Sequence, residues 1–589
     1  MPHQSDDCQR LKESTKPVAT IHDLESVAGR GPEVYLLHFP LGRTDLDASN
    51  SGIAFQRLSS WCSGLHDEST VCIFTTPADA ARLMPFLETA LKFQLWVAVK
   101  LPAEGYETDE ASLPQRHAAL LVFTRYRGSL RHTTTRIQYS YCPACGKTTK
   151  DYGGKKHIYH PYGTLMSDVW RDLSCDPHSG LPEVVERLRD VFGLEPYEKL
   201  RTLDMRRCKE LFPATSASVL NEDGLQLAWG KESLPLDSKL LNDDCLTALR
   251  SLPDSSVDFC FADPPYNIKK KYDHWNDALE AKHYFEWCDS WLSELARVLK
   301  PGRTLTVVNI PLWAVRHYQH LCKTMRFQNW LAWDGLSLPV RMIMPSHYTI
   351  LCFSKGEPRP LPGLSKSFLK SVEGRQALPM TEFFCIRSSC LDKRRQSGFN
   401  DRAEFSDLWS DIHRLKHNSR RVDHPCQLPP VLMRRLFSLF TLPGETVVDC
   451  FDGAGTSTLV AHQMKRRFIG IELSPKYHAL AAERHEQITH GVDPFGKQDE
   501  VPKAKNSRVE RLPKQKYEVS KKVLQLEVRQ IATRLKHLPS REEVARLSKY
   551  PIEYFDKYFL SWGEVCAAAR HAGMSETNPD ADAAQPLLL

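Results

Sequence analysis

Short apolar runs separated by amphipathic segments fill the stretch from about residue 235 to 490. Residues 291–299 have the spacing of an amphipathic helix, which ends before Pro301 and Gly302. Five other runs have the length and β-branched content of buried strands: residues 257–261, 305–308, 349–353, 446–450 and 467–471. Strands that alternate with helices predict a mostly parallel, doubly wound α/β sheet.

The pattern also repeats along the chain. Residues 167–173 read Ser-Asp-Val-Trp-Arg-Asp-Leu, and residues 406–412 read Ser-Asp-Leu-Trp-Ser-Asp-Ile. Upstream, the strand-like run 117–123 matches 347–353, and both runs begin with histidine. A looser match follows downstream, between residues 181–188 and residues 428–436. Three landmarks in the same order indicate an internal duplication.

We interpret residues 20–212 as the first copy and residues 235–490 as the second copy of one α/β unit. Chance similarity between short apolar strands is the alternative. The length of 589 residues fits several domains, since one domain usually has about 100–200 residues.

Composition excludes some classes of protein. The most apolar stretch, residues 83–101, is interrupted by Glu88, Lys92 and Lys100, which excludes a membrane span there. The net charge of +6 permits nucleic acid as a partner without requiring it. The first residues are polar, unlike a signal peptide, and the 17 cysteines are scattered. We therefore expect a cytoplasmic protein with mostly reduced thiols.

A proline-rich turn follows the predicted strand 257–261 and consists of Asp263, Pro264, Pro265 and Tyr266. The exocyclic amine of a base is a poor nucleophile, because its lone pair is delocalised into the ring. The carboxylate of Asp263 and the carbonyl of Pro264 could bind the two amine hydrogens and favour a tetrahedral nitrogen. The ring of Tyr266 offers a face on which a base flipped out of a duplex could stack. An ordinary type I turn is the alternative.

A second motif, residues 447–457, runs from a strand through a glycine turn into a helix. Gly453 and Gly455 allow a cofactor to approach the backbone closely, and the helix N-terminus can face an anionic group. Glu472 ends the next predicted strand, about 20 residues after Gly453, the spacing at which an acidic residue meets ribose hydroxyls. A nucleotide cofactor would also fit this motif alone.

Together the two motifs resemble the β group of DNA amino-methyltransferases, in which the catalytic turn precedes the glycine loop. The resemblance covers about residues 242–477. It implies a Rossmann-like S-adenosylmethionine-dependent methyltransferase sheet, here preceded by a degenerate copy and followed by a small all-α module. Residues 356–421 correspond to the target-recognition region of that family. The catalytic residues that the resemblance implies are Asp263, Pro264, Pro265 and Tyr266. The cofactor-binding residues that it implies are Asp244, Phe261, His424, Gln427, Asp449, Phe451, Gly453, Gly455, Thr456 and Glu472.

The resemblance implies methyl transfer from S-adenosylmethionine to double-stranded DNA, in a restriction-modification or phage-defence setting. Asp263 before Pro-Pro-Tyr favours N6 of adenine as the target. The alternatives are N4 of cytosine and a DNA-binding regulator with a vestigial site. The sequence shows no nuclease motif, so we expect any restriction activity in a separate subunit. Pro-Cys-Gln at residues 425–427 also occurs in cytosine-C5 methyltransferases, but here it precedes the glycine loop, which favours coincidence.

The first copy departs from this pattern. If residues 34–42 align with the catalytic turn, Phe39 replaces Asp263 and Gly42 replaces Tyr266. No glycine loop follows at the equivalent place. We therefore expect a pseudo-subunit that transfers no methyl group. Because members of the β group often work as dimers, the chain would be a monomer with an internal pseudo-dimer, or a homodimer.

Cys142 and Cys145 have the spacing of half a zinc knuckle. Two pairs could complete a structural zinc site: Cys385 with Cys390, at the equivalent place of the second copy, or His157 with His160. Two reduced thiols at a turn are the alternative.

The C-terminal part reads as a separate module. Residues 493–518 are polar and rich in lysine, which predicts a linker. Residues 519–574 are helical in pattern, and Ser540 with Glu543 has capping-box spacing. This segment resembles the small helical repeat found beside homing endonucleases, which implies an accessory DNA-binding module. A dimerisation or solubility appendage is the alternative.

Overall fold

A computed structural model gives the conformation of most of the chain. It describes residues 15–27, 29, 31–41, 48–102, 110–125, 130, 133, 135–137, 164–173, 175–176, 178–194, 200–208, 236–270, 272–335, 347–380, 388–398, 402–412, 414–415, 422, 427–496, 519, 521–559 and 561–570. The chain divides into two compact units: residues 1–135, 165–384 and 388–502 in the first, and residues 136–164, 385–387 and 503–589 in the second. Both α/β copies have their sheets in the first unit.

The first copy is built on a seven-stranded sheet within the described residues. Its strands are β1 (Thr15–Pro17), β2 (Val34–His38), β3 (Thr70–Thr75), β4 (Lys92–Lys100), β5 (His117–Thr124), β8 (Val169–Trp170) and β9 (Leu200–Asp204). Between them in sequence, β6 (Arg136–Ile137) and β7 (Thr164–Leu165) form a two-stranded sheet. The order across the large sheet is β1-β9-β2-β3-β5-β4-β8, and only β5 is antiparallel to its neighbours.

The second copy has an eight-stranded sheet within the described residues. Its strands are β10 (Lys239–Asn242), β11 (Val257–Ala262), β12 (Leu299–Asn309), β13 (Arg326–Asp334), β14 (His347–Ser354), β15 (Leu408–Trp409), β16 (Thr446–Asp449) and β17 (Arg467–Glu472). Their order is β10-β17-β16-β11-β12-β14-β13-β15, with β14 antiparallel to both neighbours and every other pair parallel. The predicted doubly wound fold class is confirmed.

The two sheets correspond strand by strand, from β8 and β15 at one edge to β9 and β16 near the other. In the first copy β1 pairs with β9 directly, in the place that β17 takes beside β16. Strand register corrects the predicted alignment by one residue, because Leu36 and Phe261 occupy equivalent places between their neighbouring strands. His38, and not Phe39, therefore stands where the second copy has Asp263.

Helices connect the strands of both copies. The first copy has α1 (His22–Glu25), α2 (Ala48–Ser63), α3 (Pro77–Leu87) and α4 (Pro182–Phe192). The second copy has α5 (Cys245–Arg250), α6 (Ala281–Val298), α7 (Pro311–Leu321), α8 (Lys366–Lys370), α9 (Val372–Ala377), α10 (Ser388–Gln396), α11 (Pro430–Phe440), α12 (Thr456–Gln463) and α13 (Pro475–Thr489), with a 3-10 turn at Pro362–Leu364.

Helix α6 shows how sequence sets these elements. It begins ten residues before the predicted start at 291, because Tyr284 and Cys288 continue the apolar face of Trp291 and Leu295 toward the N-terminus. All four side chains are buried against the sheet. Because polar residues lie between these apolar positions, the sequence pattern did not predict the first half of the helix.

The second unit contains α14 (Lys521–Leu535), α15 (Arg541–Leu547), α16 (Ile552–Tyr558), α17 (Trp562–Val565) and α18 (Ala567–Arg570). Leu524, Val528 and Phe555 are buried in its core. The predicted capping box is present, since Ser540 and Glu543 each accept the backbone N–H of the other. In the described part of the chain, no helix has the length and apolar character needed to cross a membrane.

Candidate active site

A cavity opens where several parallel strands of the second copy end, at β10, β11, β16 and β17. The carboxyl ends of parallel strands are the usual ligand-binding edge of such a sheet. Both predicted motifs meet here, because β11 and β16 are neighbours and end side by side.

The catalytic turn leaves β11 with its backbone held in place. The hydroxyl of Tyr266 donates a hydrogen bond to Oδ1 of Asp263, at 2.7 Å. The carbonyl of Pro265 accepts a bond from the hydroxyl of Tyr284 at 2.8 Å, and the carbonyl of Tyr266 accepts one from Nε1 of Trp313 at 2.8 Å. Tyr284, which is buried on α6, and the partly buried Trp313 of α7 thus hold the turn in place.

The segment after the turn is organised by Asp277, which the sequence did not single out. Its buried carboxylate accepts the backbone N–H groups of Asn267, Ile268 and Lys270, at 2.7, 3.0 and 2.9 Å. The Asn267 side chain exchanges two hydrogen bonds with the backbone of Leu279, and the backbone of Asn267 is left-handed, with φ of 55°. These bonds hold a loop beside the cavity. Lys270 and residues 272–275 of this loop line the cavity.

Asp263 lies half-buried in the cavity wall. Loss of contact with water raises the pKa of Asp263 to about 6. The hydrogen bond from Tyr266 and the charges of Lys270 and Arg414 lower the pKa and limit this rise. The group is therefore mostly ionised at neutral pH and can accept hydrogen bonds from an amine.

The glycine loop forms the other end of the cavity. Gly453 takes a positive φ of 54°, and its N–H donates to Oε2 of Glu472 at 2.8 Å. Oε1 of Glu472 accepts the N–H of Ser474 at 2.8 Å. Gly455 lies beneath the loop, where a Cβ atom would stand 2.9 Å from that of Ala481. Gly455 therefore allows α12 and α13 to pack closely.

The cavity is strongly acidic. Its lining includes two cations, Lys270 and Arg414. Among the described residues seven carboxylates line it: Asp243, Asp244, Asp263, Asp273, Asp449, Asp452 and Glu472. Burial raises the pKa of Asp452 to about 7, and burial also raises the pKa of Glu472. The pKa of Asp449 is raised by burial and then by the neighbouring charge of Asp452. A cationic ligand would relieve this crowding of negative charge.

Aromatic side chains line the wall beside the catalytic turn. The ring of Tyr348 lies 6.0 Å from that of Tyr266 and 5.3 Å from that of Trp333. The guanidinium of Arg414 lies over the Tyr348 ring at 5.1 Å and donates a hydrogen bond to its hydroxyl. We call Trp333, Tyr348 and Arg414 the aromatic wall. Its members come from β13, β14 and the segment after β15, so spacing in the sequence gave no signal for it.

The structure places most of the predicted site residues around this one cavity. Those that line it are Asp244, Phe261, Asp263, Pro264, Pro265, Tyr266, Gln427, Asp449, Phe451, Gly453, Thr456 and Glu472. The carboxylate of Asp244 also caps α5, accepting the N–H groups of Leu246 and Thr247. His424 lies outside the described residues.

The predicted zinc ligands are mostly outside the described part of the chain. Cys142, Cys145 and Cys385, with His157 and His160, belong to segments that the structure does not describe. Cys390 is described and buried. No group of three or more candidate metal ligands occurs among the described residues, so the zinc site stays a prediction.

The equivalent strand ends of the first copy carry different chemistry. His38 ends β2, and Asp204 ends β9. The carboxylate of Asp204 pairs with Arg206, with 2.8 Å between Oδ2 and Nη2. Neither a proline-rich turn nor a glycine loop occurs at these positions in the described residues.

Part of the chain is similar to one family of known proteins. Residues 257–483 match the family described as DNA methylase. The type II methyltransferase M.BamHI of Bacillus amyloliquefaciens is 33% identical over 243 residues, which are 40% of this chain and 54% of that protein. The DNA adenine methyltransferase YhdJ of Escherichia coli (strain K12) is 25% identical over 254 residues, 43% of this chain and 83% of that protein. The match therefore spans about half the length of M.BamHI.

One solved structure that the comparison matches to part of the chain is TTHA0409 from Thermus thermophilus, complexed with S-adenosyl-L-methionine. It aligns with a TM-score of 0.31 and 23% sequence identity, over 44% of this chain and 98% of its own.

Proposed function

We propose that this chain is a site-specific DNA methyltransferase that transfers a methyl group from S-adenosylmethionine to N6 of adenine. The observation that carries the proposal is the shared cavity, which joins Asp263 and Tyr266 to the glycine loop at Gly453. A restriction-modification or phage-defence setting follows from the similarity to a type II methyltransferase.

The cavity suits S-adenosylmethionine, which carries a positive sulfonium and an amino group. Carboxylates crowd the cavity, and Glu472 stands beside Gly453 where ribose hydroxyls would bind. Gly453 has no side chain and takes a positive φ, so the cofactor can approach the backbone of the loop closely. When bound, the cofactor would supply an electrophilic methyl group.

The chain's own residues would prepare the amine. The carboxylate of Asp263 accepts one amine hydrogen, and the carbonyl of Pro264 accepts the other, so that the nitrogen lone pair turns out of the ring plane. Tyr266 stacks on the base, and its hydrogen bond to Asp263 fixes the face of the ring relative to the carboxylate. The proton that the amine loses after transfer can pass to Asp263, whose pKa of about 6 suits a transient acceptor.

Adenine is the preferred target because aspartate, not serine, precedes Pro-Pro-Tyr, and because one relative is a DNA adenine methyltransferase. The deciding experiment incubates the full-length protein with S-adenosylmethionine and genomic DNA, digests the DNA to nucleosides and measures their masses. N6-methyladenine is the expected product. N4-methylcytosine would overturn the choice of base while keeping amine methylation. DNA binding without any methylated base would favour the regulator with a vestigial site.

The substrate we propose is double-stranded DNA, and residues 356–421 are proposed to select the sequence. The helical module, residues 519–574, is proposed to bind DNA with little sequence preference. The exposed cations among its described residues include Arg529, Arg534, Lys536 and Arg546. Contacts from such side chains to phosphates position a protein on DNA without reading bases.

A further inference from the structure

The two copies meet through equivalent residues. Trp96 of β4 and Trp330 of β13 stack with ring centroids 4.9 Å apart and planes inclined by 3°. These tryptophans occupy the same place in their sheets, since Trp96 pairs with Leu121 of β5 and Trp330 pairs with Leu351 of β14. A pseudo-two-fold axis therefore passes between the stacked rings.

Around this axis the copies exchange a histidine–carboxylate contact. Nδ1 of His117 lies 2.9 Å from Oδ2 of Asp407, and Nδ1 of His347 lies 2.9 Å from Oδ2 of Asp168. Each carboxylate also accepts a backbone N–H from the opposite copy, from Arg116 at 2.6 Å and from His347 at 3.2 Å. All four side chains are buried. The two contacts are therefore close to equal in geometry and in burial.

Their neighbours differ. His347 directly precedes Tyr348, which belongs to the aromatic wall of the cavity. His117 precedes Ala118, which is fully buried and lies outside the cavity lining. One strand away, Nη1 of Arg171 in the first copy lies 3.5 Å from Oδ2 of Asp334, the residue after Trp333.

We propose that the first copy is a positioning element for the active site of the second copy. Asp168, acting through His347, and Arg171, acting through Asp334, hold the strand ends that carry Tyr348 and Trp333. The inference rests on the proposed function, because it takes the aromatic wall as the place where the target base is received. The first copy, which lacks catalytic residues, thus supports the active site of the second copy. No second chain is needed for this purpose.

The pseudo-symmetry supplies a matched control. In the full-length protein, Asp168→Ala removes the partner of His347, whereas His117→Ala removes the equivalent contact where no cavity residue follows. Both changes break a buried histidine–carboxylate contact, so we expect both to lower the thermal stability. Asp168→Asn keeps an acceptor for the backbone N–H of His347 and should recover part of the activity. It also replaces the alanine variant if that variant does not fold.

We expect Asp168→Ala to lower kcat/KM for DNA by roughly ten- to hundredfold, since small misplacements of a reacting group have effects of this size. The dissociation constant for S-adenosylmethionine should stay within about twofold, because the aromatic wall lies on the side of the cavity away from the glycine loop. His117→Ala should change both quantities by less than about twofold. Equal effects of the two alanine variants would refute a positioning role, as would a loss of cofactor affinity that matches the loss of activity.

Hydrogen–deuterium exchange separates this proposal from the proposed function, because it requires no methyl transfer. In Asp168→Ala the backbone amides of β14 (His347–Ser354) should exchange faster than in the wild type. In His117→Ala the increase should fall on β5 instead. Unchanged amide exchange in β14 of Asp168→Ala would contradict the proposal, whatever the activity of the variant. Faster exchange in a protein that methylates nothing would leave the coupling intact and overturn only the proposed reaction.

Discussion

Oδ1 of Asp263 accepts a 2.7 Å hydrogen bond from the hydroxyl of Tyr266, so the carboxylate and the aromatic ring of the catalytic turn form one fixed unit. The bond occupies one carboxylate oxygen, and Oδ2 is the atom through which Asp263 would meet an amine. Burial raises the pKa of this carboxyl to about 6, and the bond from Tyr266 limits that rise. The pKa of Asp263 therefore affects both the methyl-transfer step and the stability of the fold.

Asp263→Asn should abolish methyl transfer and stabilise the fold. Because the folded-state pKa is raised from 3.8 to about 6, the folded protein binds more protons than the unfolded chain in that window. The ionised carboxylate therefore costs stability above about pH 6, and we expect a gain of roughly 1–3 kcal/mol from the amide at pH 7.5. Denaturant unfolding and single-turnover assays measure the two effects. A variant that is inactive but less stable than the wild type would contradict this account of Asp263.

The rate of methyl transfer should fall as the pH decreases through about 6, since a proton on Oδ2 of Asp263 would remove the acceptor that meets the amine. Tyr266→Phe removes the hydrogen bond that lowers this pKa, while it keeps the ring that stacks on the base. The midpoint of the pH–rate profile should therefore move to higher pH in Tyr266→Phe. Single-turnover rates between pH 5 and 8.5 test the shift. A midpoint that moves down, or stays in place, would show that another group controls the profile.

Asp277→Ala should lower kcat by roughly a hundredfold, because three backbone N–H groups of the loop after the catalytic turn lose their common acceptor. Asp23→Ala is a matched control, since its carboxylate accepts the N–H groups of Ala19 and Thr20 in the first copy. Steady-state kinetics with DNA would compare the two. If both variants lose activity in proportion to their thermal stability, Asp277 has no special part in placing the turn.

The sequence sufficed for the features that depend on neighbours along the chain. The apolar runs 257–261 and 467–471 were predicted as strands and lie in β11 and β17, and the Asp-Pro-Pro-Tyr turn directly follows β11. The duplication was also readable, because β5 and β14 keep matching residues at matching places.

Features that depend on the order of strands across the sheet could not be read in this way. Tyr348 and Trp333 meet because β14 and β13 are antiparallel neighbours, and Arg414 joins them from beyond β15. The alignment of Phe39 with Asp263 was wrong by one residue for a related reason. Only the pairing of β2 with β3 and β9 fixes its register, and these contacts are remote in the sequence.

Gly453→Val should remove cofactor binding, because a β-branched side chain is strained at a φ of 54° and would enter the cavity. Gly444→Val carries a comparable strain, with φ of 84°, but a Cβ atom there meets nothing within 4 Å. Titration calorimetry should find one S-adenosylmethionine per chain in the wild type and in Gly444→Val, and none in Gly453→Val. Two cofactors per wild-type chain would mean that the first copy also binds one.

Removal of residues 519–589 should weaken DNA binding and flatten its dependence on salt, while the methylated sequence and the rate at saturating DNA stay unchanged. The physical reason is that phosphate contacts release counterions and so give a slope of about −0.9 per contact in a plot of log affinity against log salt. No group assigned to the reaction lies in this segment.

A finer variant separates charge from loss of the whole module. Changing Arg529, Arg534, Lys536 and Arg546 to glutamine removes four exposed cations and should reproduce most of the change in slope. Changing Arg541 and Lys549 is the control, because Arg541 pairs with Asp556 at 2.6 Å and Lys549 with Glu527 at 3.4 Å. Fluorescence anisotropy over a range of salt concentrations measures the slopes.

Two outcomes for the protein without residues 519–589 would contradict the proposed role of the module. If this truncated protein methylates a different sequence, the module reads bases. If it binds DNA as tightly as the wild type at every salt concentration, the module makes no DNA contact.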